Sequence, residues 1–465
     1  MMKNRRQNLF QLLLIITCQC TLILNVALPV LAQNKPDDRT RIAGEMEKSI
    51  RTEMLNLWYP QCVDKEFGGF LSTFTYDFKP TGSQDKMIVT QARHTWTTAK
   101  AAKRYPAVTY YKDNARHGFM FLHNVMWDKQ YGGFYSLVDR QGKVKGEEKE
   151  VYGNAFGLYA VSAYYHMSHD TAALNLAKKS FGWLEKHSHD PIHKGYFYTM
   201  RRDGTPVKRD ATVPSTDRTG YKDQNSSIHL LEALTELYAV WPDPLVGERL
   251  AEMLHLVRDV ITTPNGNLVL FFQPDWTPIS FRDSSEAVVL KHRNLDHVSF
   301  GHDVETAYLM LEASQALGLK NDTKTLQVGK RMVDHALTYG WDKKAGGFYD
   351  QGYYFKEKPG MTIIRESKNW WSQAEGLNTL LLMADKFPND AHHYFDQYKL
   401  LWQYCQTYLI DHQYGEWYEE GLDNDPQRKT ALKGHIWKAA YHTYRALSTC
   451  VDESIHKHTG HPTQK

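Results

Sequence analysis

Gly132-Gly133-Phe134-Tyr135 and Gly346-Gly347-Phe348-Tyr349 are two copies of a glycine-aromatic element that recurs along the chain. The other copies are Gly68-Gly69-Phe70, Gly195-Tyr196-Phe197-Tyr198, Gly415-Glu416-Trp417-Tyr418 and a degraded copy, Gly266-Asn267-Leu268. From the first glycine of each copy to the next, the steps are 64, 63, 71, 80 and 69 residues. A repeat of this length marks one supersecondary unit that cannot bury its apolar face alone. Six such units can close into a ring.

The apolar pattern predicts two helices in each unit, and the two differ in kind. The first helix is apolar on most faces, as in 155–161, which is typical of a buried helix. The second carries a charged face, with residues such as Lys178 and Lys179. An inner ring of helices inside an outer ring is an (α/α)6 barrel, so we predict an all-α fold of six helical hairpins with short β-hairpins at the mouth. The predicted helices span 40–59, 91–104, 110–127, 152–167, 171–187, 225–240, 244–262, 302–317, 322–339, 371–386, 391–410 and 436–450.

The first predicted helix, 40–59, and the last, 436–450, have no partner next to them in sequence. We expect them to pair with each other across the seam of the ring. No linker or low-complexity stretch interrupts the chain, so residues 33–465 are predicted to form a single catalytic domain. The longest polar loops, 200–223 and 276–298, are expected to act as lids.

The first 32 residues have the layout of a signal peptide. Basic residues precede an apolar stretch from Leu12 to Leu28, and Val30-Leu31-Ala32 offers small residues at a cleavage site. We therefore expect residues 1–32 to be removed and the product to be exported, either to the periplasm or outside the cell. No membrane-spanning segment is expected to remain after this removal. A lipid anchor at Cys18 or Cys20 is the less favoured alternative, because the residues before them are larger than such a site requires.

The charge balance argues against a polyanionic partner. Lys3, Arg5 and Arg6 are the only charged residues in 1–32, so the 56 basic side chains fall to 53, against 53 acidic ones. Neither a nucleic acid nor an anionic membrane is therefore expected as a partner. The three cysteines that remain permit one disulfide at most. The aromatic fraction of 13% suits a carbohydrate cleft and a large core equally well.

Polar residues lie in the first turns of the predicted inner helices. His229 is followed three residues later by Glu232, and His302 is followed in the same way by Glu305. Residues i and i+3 share a helix face, so each glutamate can orient its histidine. If the inner helices all begin at one end of the barrel, these residues converge there with other groups of the first turns, namely Arg93, Tyr152, Asn225, Trp370, Trp371, Trp437 and His442.

This set of side chains favours proton-transfer chemistry. Two histidines on opposite sides of a substrate can each take and give a proton near neutral pH. An arginine beside them can stabilise an oxyanion. The set therefore suits removal of the weakly acidic proton next to a carbonyl, through an enediolate. A glycosidase needs two carboxylates at a defined separation, and Glu232, Asp303 and Glu305 each have a histidine neighbour.

Other interpretations of the same residues stay open. A histidine at a helix start is often structural, and Arg93 can form a salt bridge within the inner layer. One of Trp370 and Trp371 is expected to point inward and the other to pack in the core. The two His-x-x-Glu steps and His442 could also ligate two metal ions. We favour a site without metal, because both helices would have to bring all their ligands to one point.

Four motifs resemble the N-acylglucosamine 2-epimerase superfamily, in the same order and at similar separations. They are Ile228-His229-Leu230-Leu231-Glu232-Ala233 with Val240-Trp241-Pro242-Asp243, Phe300-Gly301-His302-Asp303-Val304-Glu305, Trp370-Trp371-Ser372-Gln373-Ala374-Glu375, and Trp437-Lys438 with Tyr441-His442. The resemblance extends over nearly all of residues 40–450 and is closest to members that epimerise cellobiose. It implies an (α/α)6 barrel and an isomerase that acts at C2 of a reducing-end sugar without a metal or redox cofactor.

The resemblance also implies a role for each matching residue. His302 and His442 are the implied acid/base pair on the two faces of C2, and Glu305 supports His302. His229 is implied to assist ring opening, and Arg93 to hold the developing oxyanion. The implied substrate-binding residues are Tyr152, Asn225 and Glu232, with Trp370 or Trp371 at the reducing-end ring and Trp437 at a second sugar ring.

Two departures from the family pattern lie near the expected sugar site. Ser227 stands where the family has a histidine, and Gly434-His435-Ile436-Trp437-Lys438-Ala439-Ala440 replaces a Gly-Pro-Trp-Lys-Cys-Pro run. We expect a 2-epimerase that acts on a cellobiose- or mannobiose-type disaccharide met outside the cytoplasm. The alternatives are a monosaccharide aldose–ketose isomerase or N-acylglucosamine 2-epimerase on the same barrel, an (α/α)6 glycoside hydrolase or lyase, and a sugar-binding protein.

Overall fold

The computed structural model describes residues 37–207 and 221–459. The predicted signal peptide, 1–32, lies outside the described residues, as does most of the predicted lid 200–223. The barrel described below belongs to the compact unit that begins at Ala43. Across the described ranges, every helix is too short or too polar to cross a membrane.

Helices form two layers in this unit. In chain order the helices are α1 (Asp38–Lys48, continued by Ser49–Leu55 and Asn56–Gln61), α2 (Ile88–Arg104), α3 (Tyr110–Phe121, continued by Leu122–Met126), α4 (Val151–Ser168), α5 (Thr171–His187), α6 (Gln224–Val240), α7 (Pro244–Leu256, continued by Val257–Ile261), α8 (Glu286–Lys291), α9 (Phe300–Ala316), α10 (Thr323–Tyr339), α11 (Trp370–Lys386), α12 (Tyr394–Tyr404, continued by Cys405–Leu409) and α13 (Tyr441–Thr459). The inner layer contains α2, α4, α6, α9, α11 and α13, and each packs on the next around the ring. The outer layer contains α1, α3, α5, α7, α10 and α12.

The division into layers follows from the side chains. In α4, every residue from Val151 to Tyr164 is buried, as expected for a helix that is apolar on most faces. In α5, buried residues such as Leu176 and Leu184 alternate with exposed lysines such as Lys178 and Lys186, so one face meets solvent. The predicted all-α (α/α)6 barrel of helical hairpins is confirmed in the described part of the chain.

The seam of the ring closes between the first and last helices. The hydroxyl of Thr443 on α13 lies 3.1 Å from Sδ of Met54 in the continuation of α1. On the other side of α1, Nε1 of Trp402 on α12 donates to Glu45 at 2.8 Å. The predicted pairing across the seam is therefore present.

Most helix bounds lie within three residues of the prediction, and the last inner helix and the segment 276–298 differ more. The last inner helix begins at Tyr441 rather than at 436, because buried Lys438 turns back and donates to the carbonyls of Trp417 (2.9 Å) and Lys433 (2.8 Å). Trp437 consequently lies in a turn and not on a helix. The predicted lid 276–298 contains a short helix, α8, that the sequence pattern did not indicate.

Each glycine-aromatic element closes a tight β-hairpin after an outer helix. The six hairpins are marked by antiparallel bridges between Val63 and Phe70, Trp127 and Phe134, His189 and Tyr196, Thr262 and Leu268, Trp341 and Phe348, and Ile410 and Trp417. The glycines are required at these turns: Gly133 has φ +72°, and a Cβ there would lie 2.7 Å from the Trp183 ring. The degraded copy at Gly266 forms the same hairpin, which confirms six units.

Short strands then lead into the inner helices. The pairs are β1 (Lys86–Met87) with β2 (Leu137–Val138), β3 (Lys149–Glu150) with β4 (Thr199–Met200), and β5 (Lys222–Asp223) with β6 (Phe271–Phe272), all antiparallel. A larger sheet joins β7 (Val298–Ser299), β8 (Gln351–Tyr353) and β9 (Thr362–Arg365). Each strand before an inner helix pairs with a segment of the next unit, so the start of one inner helix is fixed against its neighbour.

A second repeated feature holds these starts in place. A buried lysine ahead of an inner helix reaches a buried or half-buried aspartate in the preceding hairpin. The pairs are Lys86–Asp64 (2.9 Å), Lys149–Asp128 (2.9 Å), Lys222–Asp190 (2.7 Å), Lys368–Asp342 (2.6 Å) and Lys433–Asp411 (2.6 Å). In the fourth unit, Thr263 and Val298 occupy the corresponding places. Both partners change together in that unit, which avoids leaving one buried charge unpaired.

Candidate active site

The inner helices all begin at one end of the barrel and bring one side chain each to a common depth. Five of these side chains occupy the sixth position of their helices: Arg93 on α2, Phe156 on α4, His229 on α6, Glu305 on α9 and Glu375 on α11. Arg445 on α13 joins them. The Arg93 guanidinium lies 4.6 Å from the Phe156 ring centre, and the Phe156 ring lies 4.7 Å from that of His229.

His229 is held by the glutamate that follows it on the same helix. Its Nδ1 lies 3.0 Å from an oxygen of Glu232, as the i, i+3 spacing predicts. The other oxygen of Glu232 accepts from the hydroxyl of Tyr441 at 2.5 Å and from Arg445. Burial alone would raise the pKa of Glu232, but the charge of Arg445 and the bond from His229 outweigh it and lower that pKa to about 2. Glu232 is therefore a carboxylate.

His442 is held by a carboxyl group of a neighbouring helix. Its Nδ1 lies 2.7 Å from Oε1 of Glu375 and 3.9 Å from Oε1 of Glu305. Burial, together with the positive charges of Arg93 and Arg445, puts the pKa of His442 well below its usual range. The imidazole is therefore neutral at pH 7, with one N–H and one free lone pair.

His302 has a hydroxyl partner and not a carboxylate. Its Nδ1 lies 2.9 Å from Oγ of Ser299, which precedes α9. Burial lowers the pKa of His302 to about 3, so this imidazole is also neutral. The expectation that Glu305 supports His302 is wrong, because His302 sits in the first turn of α9 while Glu305 sits deeper and bonds to Arg445 at 2.6 Å.

The two tryptophans at the start of α11 divide as the sequence suggested. Trp371 contacts both His302 and His442, with ring centres 4.7 and 5.9 Å apart. Trp370 is buried, with its ring 5.4 Å from the Lys438 ammonium. Only Trp371 is therefore in contact with the proposed acid/base groups.

Arg93 links the floor of the site to its rim. Its guanidinium donates to the hydroxyl of Tyr152 at 3.1 Å and to the backbone carbonyl of Trp437 at 2.9 Å. The Trp437 side chain is 41% exposed, whereas Arg93 and Tyr152 are buried. Asn225, in the first turn of α6, has a buried Oδ1 without a hydrogen-bond partner among the described residues. These four residues surround the open end with polar and aromatic groups.

The contacts of Arg445 bear on whether these residues could bind a metal ion. Glu305, Glu375 and His442 bring ligand-type atoms within 4.8 Å of one another. However, Arg445 already lies 2.6 and 2.7 Å from Oε1 of the two carboxyl groups. Its guanidinium supplies the positive charge that a cation would bring. Asp303, another candidate carboxylate, points away and accepts from the Leu268 backbone N–H at 3.0 Å.

Sequence reasoning missed several partners of the histidines, most of which lie on other helices. Glu375, Arg445, Tyr441 and Ser299 were not among the candidates, although each contacts one of the histidines or its carboxylate. One signal was available: Glu375 occupies the same helix position as Glu305, Arg93 and His229. The four predicted histidine and arginine residues do converge, together with Glu232, Glu305, Tyr152 and Trp371.

The six inner helices inside six outer ones, with histidines and an arginine near the starts of the inner helices, define an (α/α)6 barrel with a polar site at one end. A family profile described as N-acylglucosamine 2-epimerase matches residues 68–446. The chain therefore belongs to the N-acylglucosamine 2-epimerase family, and the predicted class, a carbohydrate epimerase or isomerase, is confirmed.

Named relatives cover almost the whole chain. It is 27% identical to cellobiose 2-epimerase of Bacteroides fragilis over 88% of this chain and 98% of the relative. It is 25% identical to D-mannose isomerase of Marinomonas mediterranea, over 89% and 98%. The solved structure of cellobiose 2-epimerase from Bacillus thermoamylovorans matches with a TM-score of 0.77 and 25% identity, over 89% of this chain and 99% of that one.

Proposed function

We propose that this enzyme interconverts the gluco and manno configurations at C2 of the reducing-end sugar of a cellobiose- or mannobiose-type disaccharide. The observation that carries the proposal is the pair of neutral imidazoles, His302 and His442, that both contact Trp371. They come from different helices, so a sugar ring lying against Trp371 would meet one imidazole from each side. The cellobiose 2-epimerase relatives support the same reaction.

The proposed reaction balances its protons between the two histidines. With the sugar in its open form, Nε2 of one histidine takes the proton from C2, and the C–H electrons form a C1=C2 double bond. The C1 oxygen becomes negative, and Arg93, a buried cation among the first turns of the inner helices, stabilises it. The other histidine then gives the proton on its Nε2 to the opposite face of C2, which restores the C1 carbonyl and inverts the carbon. Proton exchange with solvent returns the first histidine, now protonated, and the second, now without its Nε2 proton, to their neutral forms. His229, held by Glu232, assists ring opening by proton transfer at the ring oxygen.

The rim residues support a substrate with a second sugar ring. Trp437 presents an exposed indole beside Tyr152, with ring centres 6.5 Å apart. An exposed aromatic face of this kind stacks on the C–H face of a pyranose. Asn225 and Tyr152 supply hydrogen bonds for hydroxyl groups of the sugar bound below. We also propose that the enzyme uses no metal or redox cofactor and that it is exported after loss of residues 1–32.

The direct test follows the hydrogens of the substrate. The chain from residue 33 is incubated in D2O, without added metal, with cellobiose, mannobiose and mannose in turn, and the C1 and C2 protons are followed by NMR. Deuterium entering C2 with gluco/manno interconversion supports the proposal and ranks the substrates. Release of a monosaccharide from either disaccharide would instead identify a hydrolase and overturn it.

The roles of the two histidines predict the effect of replacing them. We expect His302→Ala and His442→Ala each to lower kcat by about 100-fold or more, the typical contribution of a general acid or base. His255→Ala, which changes an exposed histidine of α7, is the matched control and should keep full activity. Full activity of both site variants would contradict the proposed mechanism.

A monosaccharide aldose–ketose isomerase is the second candidate, and the D-mannose isomerase relative favours it. The same enediolate gives the ketose when the proton returns to C1 instead of C2. In the D2O experiment this candidate predicts fructose from mannose, with deuterium at C1. A third possibility within the family is an N-acylglucosamine 2-epimerase, which N-acetylmannosamine added as a substrate would reveal.

A further inference from the structure

Arg445 lies at the centre of the carboxylates that hold the histidines. It is buried on α13, and its guanidinium bonds to carboxyl groups of three other inner helices. Nη2 lies 2.6 Å from Glu305 on α9 and 2.7 Å from Glu375 on α11, and Nη1 bonds to Glu232 on α6. Nη1 also donates to the hydroxyl of Tyr441 at 2.7 Å. No substrate atom needs to reach Arg445 for it to act on the site.

The ionisation of Glu375 decides which nitrogen of His442 carries the proton. A carboxylate can only accept a hydrogen bond, so ionised Glu375 requires Nδ1–H on His442 and leaves the Nε2 lone pair free. A protonated Glu375 would donate to Nδ1 instead and place the proton on Nε2. In that tautomer His442 has no lone pair with which to take a proton from C2.

Among the groups around Glu375, Arg445 is the one that most stabilises its ionised form. Burial and the carboxyl groups around it favour the protonated acid, and Arg445 opposes them most strongly. The titratable and charged groups that act on Glu375 or on its partner His442 are Glu232, Glu305, Glu312, Arg93, Arg445, His229 and His302. Arg93 bonds to Tyr152 and Trp437 and not to Glu375, so Arg445 is the cation that contacts this carboxyl directly.

We propose that Arg445 is a positioning residue that keeps Glu375 ionised and so fixes His442 in the tautomer able to remove a proton from C2. The proposal rests on the proposed epimerase function for its catalytic consequence. Its structural half, the tautomer of His442, does not depend on which sugar is the substrate.

The first test compares pH profiles of kcat/KM for the wild type, Arg445→Met and Arg445→Lys. Loss of a cation in contact raises a carboxyl pKa by about 1–3 pH units, so we expect the acidic limb of Arg445→Met to move up by that amount. Activity should fall about 10-fold or more at pH 7 and recover at higher pH. Arg445→Lys, which keeps the charge, should show a smaller displacement. An equal loss at every pH with an unmoved limb would mean a structural role only and would overturn the proposal.

The second test reads the tautomer without using activity. Nitrogen-15 chemical shifts of labelled histidines distinguish Nδ1–H from Nε2–H, and the signal missing from His442→Gln identifies His442. We expect Nδ1–H in the wild type at pH 8 and Nε2–H in Arg445→Met. Arg249→Met, which removes a half-buried arginine paired with Glu185 in the outer layer, controls for lost stability and should leave the signal unchanged.

The two tests distinguish a failure of the proposed epimerase function from a failure of the role proposed for Arg445. A wild type that moves no deuterium in any sugar would contradict the proposed function but leave the tautomer measurement valid. An Nδ1–H signal that persists in both Arg445 variants would overturn the role of Arg445 even in an active epimerase. If Arg445→Met does not fold, Arg445→Lys still gives both readouts.

Discussion

The pKa values of two buried glutamates set the pH range in which His442 can act as a base. Burial raises the pKa of Glu305 and of Glu375 to about 7, with added repulsion from Glu375 at Glu305 and from Glu232 and Glu312 at Glu375. His302, by contrast, stays neutral down to a pH of about 3. Because the two glutamates lie against one guanidinium, they titrate together.

We therefore expect kcat/KM of the wild type to decrease as the pH falls below about 7. Because its pKa is raised, Glu375 becomes protonated as the pH falls through about 7, and it can then no longer accept the hydrogen bond from Nδ1–H of His442. A pH–rate profile from pH 5 to 9 checks this. Glu305→Gln should keep the acidic limb, since Glu375 remains, whereas Glu375→Gln should remove it. A limb near pH 4 in the wild type would contradict the expectation.

At this scale the sequence predicted the candidate histidines and one partner, Glu232, but not the partners that lie on other helices. His229 and Glu232 lie one turn apart on one helix, so their contact follows from local geometry. The contact of His442 with Glu375 spans 67 positions and depends on how two helices are rotated against each other. Local spacing carries no information about that rotation. The same limitation explains why Glu305 was assigned to His302.

Among the elements, the buried lysine–aspartate pairs fix where each inner helix begins. We expect Lys222→Met to lower the free energy of unfolding by about 3–5 kcal/mol, because Asp190 would remain as a buried charge without its partner. The double variant Asp190→Thr with Lys222→Val copies the fourth unit and should be much less destabilised than the single one. Urea denaturation of the three proteins measures the difference. A double variant no more stable than Lys222→Met would disprove this account.

The hairpin glycines lead to a second expectation for the elements. Gly133→Ala places a Cβ at φ +72° and 2.7 Å from the Trp183 ring. The left-handed conformation alone costs about 1–2 kcal/mol, so thermal unfolding should begin at a lower temperature. Gly146→Ala is the control, since no atom lies within 4 Å of a Cβ there. Equal melting temperatures for the two variants would show that the hairpin tolerates the strain.

Most helix bounds could be predicted because the apolar period and the flanking turns are local signals. For α5 the predicted 171–187 is the observed range. The start of α13 could not be predicted, since Lys438 donates to the backbone carbonyl of Trp417, which lies 21 residues earlier in the chain. The lysine–aspartate repeat was visible in the sequence at the same spacing as the glycines, but its meaning depends on the strand pairing that brings the two residues together.

For the molecule as a whole, ring closure depends on α1. Its continuation buries Ile50, Met54, Leu55 and Trp58 against the rest of the barrel. At about 1.5–3 kcal/mol for each large apolar side chain, these four contribute about 6–12 kcal/mol, which is similar to the total stability of a domain.

We therefore expect a chain that starts at residue 62 to lose cooperative unfolding. A chain that starts at residue 37 retains α1 and should melt as the longer protein does. Circular dichroism during heating compares the two. Cooperative melting of the shorter chain would show that the remaining units form a stable open arc.

The charged side chains at the start of the inner helices are also unevenly distributed around the ring. Arg93 and Arg445 stand on α2 and α13, which are neighbours, and Glu305 and Glu375 stand on α9 and α11. Positive and negative groups thus occupy different arcs of one circle, and the resulting field crosses the floor of the site from one wall to the other. A ligand that carries no net charge but has a strong dipole would be turned by this field before any hydrogen bond forms. We therefore expect an uncharged sugar with a strong dipole to enter the barrel in one preferred orientation.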